Sequence, residues 1–282
     1  MTLERTSGFA AATAVCRRDE PRHDALFAEA RYDAVFAEAR YDAVLDAGWS
    51  IGGKPNGGYL LAVLARAATD AAGRPHPLAV SGHFLRPPSG GPAEVRTELV
   101  KAGRTATTVR ATLWQDDRPC LDTLVTTGEL SGGPVDYAAG TPPVLPPPEL
   151  CPDRSEVPMR VELLDHVDVR LDPATAPFPA PTGRPLIQGW VRLRDGTDPD
   201  ALALTLAVDA MPPTVFHLGR LGWAPTVELT FLLRGLPAPG WLSFRAEATF
   251  VADGWFDEDV SVWDSTGRLV AQSRQLALAG RA

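Results

Sequence analysis

ALALTLAVDAM, residues 201–211, is apolar on nearly every side except at Asp209. Upstream, Thr197 and Asp200 have the spacing of a capping box, and Pro199 suits a first helical turn. Downstream, Pro212 and Pro213 stop a helix or force it to bend. The alternation of Ala and Leu also fits a strand, but the cap and the paired prolines favour a buried helix of about three turns. Its one carboxyl then falls near the C-terminal end. A buried, ionised carboxylate without a partner costs several kcal/mol, so Asp209 either reaches water or faces polar groups brought from elsewhere.

Working outward, the second half of the chain shows strand patterns at residues 159–171 and 185–193 before this helix. Four more follow it, at 226–233, 241–251, 256–263 and 268–278. The first half has a similar order. A glycine-rich turn, GWSIGGKPNGG (residues 48–58), leads into a helix over 59–72 that Gly73 closes at the C′ position. Strand patterns follow at 78–85, 93–102, 105–115 and 119–130, with Asp116 and Asp117 at a hairpin tip. His83-Phe84-Leu85-Arg86 and Thr230-Phe231-Leu232-Leu233 lie at an offset close to 147 residues, as do the tips at Asp116-Asp117 and Asp264-Ser265. Strand, helix and antiparallel meander, given twice, predict an α+β protein of two like units. The boundaries expected are a flexible N-terminal segment 1–23, unit 1 over 24–132, a proline-rich linker 133–156, and unit 2 over 157–282. Within unit 1, Asp24 to Tyr32 (DALFAEARY) is followed by the near copy Asp33 to Tyr41 (DAVFAEARY), read as a surface insertion.

Composition narrows the function classes. The 282 residues are 45% hydrophobic and 22% charged, with net charge −8 and pI near 5.2. That balance excludes a basic nucleic-acid-binding face. No apolar run reaches the ~18 residues of a membrane span. Three widely spaced cysteines, Cys16, Cys120 and Cys151, argue against a disulfide framework and a structural zinc site. A cytoplasmic protein with no metal and no cofactor is expected, and homo-oligomerisation stays open.

Two motifs mislead. Gly48-Trp49-Ser50-Ile51-Gly52 fits the G-x-S-x-G nucleophile elbow, but glycines and a proline delay the helix that an elbow requires at once. Lys54 is followed by proline, which breaks the phosphate-loop spacing. Two features with chemistry remain. One is the helix N-terminus at Gly57 and Gly58, whose free N–H groups suit an oxyanion; the other is the carboxylate of Asp209.

The runs GGKPNGGYLLAVLARAA, HFLRPPSGGPAEV and KAGRTATTVRATLWQDDRP resemble the thioesterase-like double hot-dog proteins, the type II acyl-CoA thioesterases. The resemblance implies two antiparallel sheets, each wrapping a long helix, and hydrolysis of an acyl-CoA thioester to free acid and CoA. It also implies that an Asp, a Thr and a Gln hold the attacking water, here Asp209, Thr226 and Gln275. Asn56, Gly57, Gly58 and His83 are then the expected substrate-binding residues. Thr230 competes with Thr226 and shares its face in a regular strand. Gln272 competes with Gln275 but lies on the opposite face. The alternatives are a non-catalytic acyl or acyl-CoA binder, and an enoyl-CoA hydratase or dehydratase. The latter needs a His beside the carboxylate, and the helix at 201–211 has none.

Overall fold

A computed structural model describes residues 8–18, 38–153 and 161–280. The first half contains α1 (Phe9–Ala12), β1 (Val15–Arg17), β2 (Glu38–Leu45), the short pair β3 (Ser50–Ile51) and β4 (Lys54–Pro55), and α2 (Gly57–Ala72). β5 (His76–Phe84), β6 (Gly91–Lys101), β7 (Thr107–Gln115) and β8 (Arg118–Gly128) follow. The second half contains β9 (Val167–Leu171), β10 (Leu186–Leu193), α3 (Ala203–Ala207), β11 (Thr226–Leu233) and β12 (Leu242–Glu247). β13 (Val251–Ala252), β14 (Trp255–Trp263) and β15 (Leu269–Leu278) complete it.

α2 forms because a Leu- and Ala-rich run is capped at both ends. Asn56 Oδ1 accepts from the Tyr59 N–H at 2.9 Å, and Gly73 adopts the left-handed conformation (φ 57°) that ends the helix. Leu60, Leu61 and Leu64 are buried, and α2 as a whole packs against β5–β8. At about 1.5–3 kcal/mol each, they outweigh the cap, which contributes about 1 kcal/mol. The strands make one antiparallel sheet in the order β1-β2-β6-β7-β8-β5-β11-β15-β14-β12-β10-β9, with β13 paired to β14. β5 and β11 join the halves at the middle, with Thr230 opposite Ser81. Asp116 and Asp117 both have φ 53° at the β7–β8 tip, the left-handed pair of a tight hairpin.

Four expectations are corrected. Only the first half wraps a long helix; α3 has five residues. The chain leaves the helix at Asp209, whose N–H turns to the Leu206 carbonyl at 3.0 Å in a tighter turn. Pro213 has no N–H to offer the Asp209 carbonyl, which accepts from Asn56 Nδ2 at 2.9 Å instead. Residues 8–18, expected within a flexible tail, include an edge strand and a core anchor: Phe9 packs edge-on against Trp49 at 5.4 Å, and Tyr59 donates to the Ala12 carbonyl at 2.8 Å. The strand expected from residue 159 begins at Val167, after a 3₁₀ turn at Glu162–Asp165. The strand expected over 241–251 is broken into β12 and β13.

Of the duplication, only Glu38 to Tyr41 lie among the described residues, where they open β2 and bury Tyr41. No described helix is long and apolar enough to cross a membrane.

Candidate active site

The core of the site lies where the N-terminus of α2 meets the chain just after α3. Asp209 Oδ2 accepts from the Gly58 N–H at 2.8 Å and from Asn56 Nδ2 at 2.9 Å. The approach is tight. Thr205 donates to the Gly58 carbonyl at 2.9 Å, and a Cβ at Gly58 would stand 2.3 Å from the Thr205 carbonyl oxygen. Only glycine fits there, so Gly58 is fixed by packing as well as by its amide. Gly57 carries the same constraint more mildly, with Asp209 Oδ2 and Phe84 Cζ each 3.0 Å from a would-be Cβ. No side chain among the described residues donates to Asp209 Oδ1.

The electrostatics follow from this enclosure. Asp209 keeps part of its surface in solvent, yet protein surrounds the carboxylate so closely that desolvation dominates. Burial pushes its pKa up from 3.8 to about 7; the Gly58 amide, Asn56 and Gly57 pull it down, and the negative charge of Glu258 pushes it further up. Desolvation and the like charge win over three donors.

Glu258 belongs to a second cluster on the inner face of the sheet. Thr226 donates to Gln275 Oε1 at 2.7 Å, and Gln275 Nε2 donates to Glu258 Oε1 at 2.8 Å. Glu258 Oε2 accepts from the Thr214 N–H at 2.7 Å, at the start of a 3₁₀ turn, Thr214–Leu218. The Thr214 hydroxyl lies beside the same carboxylate, off hydrogen-bonding geometry. Burial raises the Glu258 pKa, opposed by its Thr214 and Gln275 donors. Among the described residues, no hydrogen bond joins Asp209 to Thr226 or Gln275; Glu258, which bonds Gln275 and is felt by Asp209, links the two clusters.

The structure separates the competing residues. Gln275 sits opposite Glu258 and faces inward, whereas Gln272 accepts from Arg234 at 2.9 Å on the outer face. Thr226 and Thr230 do not share a face, contrary to the regular-strand expectation. The register slips between Thr226 and Glu228, so an extra residue turns Thr226 inward onto Gln275. Thr230 instead donates to Glu228 at 2.7 Å beside Ser81 on the outer face. His83 shares that outer face and is exposed, so it does not meet the Asp209 carboxylate; its neighbour Phe84 points inward to Gly57. The Gly58 amide, expected to be open to a ligand, is engaged by Asp209.

Ser50 is no elbow nucleophile: it lies in β3, paired antiparallel to β4, and its hydroxyl has no partner. Glu258 was missed by sequence reading although a sign of it was present. It takes an inward position in the alternation Phe256, Glu258, Val260, Val262, where an acid stands out. Among the described residues, no group of three His, Cys, Asp or Glu side chains is arranged to hold a metal ion. An apolar cleft of about 250 Å³, open mouth included, lies on the opposite flank of α3, lined by Ala203, Leu206 and Ala207 against Val167, Val191 and Leu242.

One long helix held against a continuous antiparallel sheet is the hot-dog class of α+β fold. A hot-dog protein of Alicyclobacillus acidocaldarius shares it at TM-score 0.82 and 22% identity, over 98% of this chain and 99% of that one. Residues 45–128 match the acyl-CoA thioesterase N-terminal domain and residues 143–279 the acyl-CoA thioesterase C-terminal domain. The chain therefore belongs to the type II acyl-CoA thioesterase family. A proposed thioesterase II from Thermobifida fusca superposes at TM-score 0.84 with 41% identity, over 97% of each chain. An uncharacterized Mycobacterium tuberculosis protein is 38% identical over 263 residues, covering 83% of this chain and 89% of that protein. The thioesterase-like protein TwmA of Talaromyces wortmannii is 28% identical, over 90% of this chain and 92% of that one.

Proposed function

We propose that the protein hydrolyses acyl-CoA thioesters to free acid and CoA, with Asp209, Thr226 and Gln275 serving one water molecule. The observation that carries this reading is the Asp209 carboxylate, held by the N-terminus of α2 with its pKa raised to about 7, and facing Glu258, which bonds Gln275 of a Thr226–Gln275 pair. At neutral pH such a group exchanges protons readily, which suits a general base. Asp209 takes a proton from water through Oδ1. The Thr226 proton is directed at Gln275, so its oxygen accepts from the same water. Hydroxide adds to the thioester carbonyl, the tetrahedral adduct expels the CoA thiolate, and the proton on Asp209 passes to sulfur. The positive end of the α2 dipole, beside Asp209, favours the negative charge that develops on the thioester oxygen.

A dehydratase would use a His facing the carboxylate. His217 is buried between Thr182 and the Thr175 carbonyl, at 3.0 Å from each, so both ring nitrogens are engaged away from Asp209. That weighs against the hydratase reading.

The test is release of free CoA from short, medium, long and aromatic acyl-CoAs, by wild type and Asp209→Asn. Turnover of at least one chain class, lost in the variant, is expected. Binding of acyl-CoA without turnover in any class would overturn hydrolysis in favour of a non-catalytic binder.

A further inference from the structure

We infer that Glu258 is a positioning residue of this site, fixing the Gln275 amide so that Thr226 is left as a hydrogen-bond acceptor for the attacking water. This rests on the reading of the site as a thioesterase. A glutamine amide is nearly symmetric in shape, and its two ends are told apart by their partners. Thr226, with a hydroxyl that donates or accepts, cannot tell them apart. A carboxylate can, because when ionised it accepts only. Glu258 Oε1 at 2.8 Å therefore demands the NH₂ end of Gln275, and the carbonyl end turns to Thr226. The Thr226 proton must then point at Gln275, 2.7 Å away. Its lone pairs face away from the amide. Reversing the amide would reverse Thr226 as well, turning an acceptor for water into a donor.

Glu258 is itself held. Its second oxygen accepts from the Thr214 N–H at 2.7 Å, and the residue is 3% exposed, so the side chain has little room to turn. Both of its oxygens meet donors, an arrangement that suits the ionised form. Asp257 is its charged neighbour on the same strand, Thr214 and Gln275 face it from the adjoining elements, and Asp209 lies across the site. Around Asp209 the facing groups are Asn56, the Gly57 and Gly58 amides, and Glu258. A charge on Glu258 opposes ionisation of Asp209, which raises the pH at which the base becomes available.

A merely structural Glu258 would tie β14 and β15 to the Thr214 turn and do no more. Two variants separate the roles. Glu258→Gln leaves a carbonyl that serves either the Thr214 N–H or the Gln275 NH₂, but not both. Glu258→Gln combined with Gln275→Glu restores every partner. The new carbonyl at 258 accepts from Thr214, the new NH₂ there donates to the carboxylate at 275, and that carboxylate still accepts from Thr226. In Glu258→Gln, kcat should fall about 10²-fold with KM little changed. The acid limb of kcat/KM should move down by about one pH unit. The exchanged pair should recover at least about tenfold of the lost kcat, because the Thr226 proton is again directed away from water.

Two NMR readouts need no turnover: titration of the Asp209 side-chain carbon, and the Gln275 side-chain amide protons, one of which should lie downfield in wild type and lose that shift in Glu258→Gln. A folded Glu258→Gln protein with wild-type kcat, acid limb and Gln275 resonances overturns the proposal. Wild type inactive on every acyl-CoA, with the NMR shifts as expected, instead removes the thioesterase reading and leaves the role of Glu258 in orienting Gln275 standing.

Discussion

Asp209→Asn tests both the chemistry and the electrostatics, because the variant keeps the shape of the side chain. The new amide oxygen can accept from Gly58 and Asn56 as Oδ2 does. What disappears is the charge and the base. The displacement of the Asp209 pKa from 3.8 to about 7 corresponds to roughly 4 kcal/mol at full effect. Below pH 3.8 the group is protonated in both folded and unfolded chains and no cost arises. Between 3.8 and about 7 the unfolded chain ionises while the folded one resists, so the protein loses stability as pH rises. Above about 7 the full cost persists. Because Asp209 keeps some solvent contact, we expect roughly half of this to be recovered by Asn at pH 8, about 2 kcal/mol, or about 5 °C in Tm. At pH 4.5 the two proteins should melt within a degree or two of each other. Over the same series kcat should be about 10²–10⁴-fold lower in the variant, with KM little altered. The assays are thermal melting from pH 4.5 to 8.5 and CoA release at saturating substrate. A variant that melts below wild type at pH 8 would refute the desolvation argument, and a folded variant with wild-type turnover would refute the role of base.

Other outcomes follow from the same contacts. Gly58→Ala should lower Tm by about 2–8 °C, since overpacking against the Thr205 carbonyl costs about 1–3 kcal/mol; unchanged stability would show that α2 and α3 can move apart. For that reason Gly58→Val, with a larger side chain at the same point, should misfold. Thr226→Ala should reduce kcat about tenfold or more while Thr230→Ala leaves it alone, because only the first faces Gln275; equal losses would place the bulge wrongly. Deleting residues 33–41 places Glu29-Ala30-Arg31-Tyr32 where Glu38-Ala39-Arg40-Tyr41 now start β2. Tm should therefore change by less than about 8 °C, and a larger drop would mean that more than β2 depends on the deleted copy.

The elements whose cause is local were readable in the sequence. α2 has its cap at Asn56, its apolar body and its Gly73 stop in consecutive residues, and β11 spans 226–233 as the alternation predicts. The elements that depend on distant partners were not. α3 is short because the Asp209 carbonyl turns to Asn56, 153 residues away in sequence. α1 and β1 have no periodicity to read; Trp49, Tyr59 and the edge of β2 hold them. The choice of Thr226 over Thr230 depends on one inserted residue, and a bulge leaves no mark in a two-residue alternation. Gln275 over Gln272 was decidable only once the inner face was known. Glu258 is the reverse case: its place in the alternation was visible, but its partners Thr214 and Gln275 come from other elements.

Asp209 therefore sits under two opposed influences drawn from different halves of the chain. Asn56 and the α2 amides, from the first half, favour its charge; Glu258, from the second, opposes it. Asn56→Ala removes a donor, so the acid limb of kcat/KM should move to higher pH. It should also cost about 1 kcal/mol of stability, because the same side chain caps α2. Glu258→Gln removes the like charge and should move the limb to lower pH. If both act on the one carboxylate, the double variant should return the limb toward its wild-type position even though kcat stays low. A purely steric account of either residue predicts no such opposition, since loosened packing admits water and would lower the Asp209 pKa in both variants. Shifts of the same sign would thus favour packing, and shifts of opposite sign would favour a base whose readiness at neutral pH is set by the balance between the two halves.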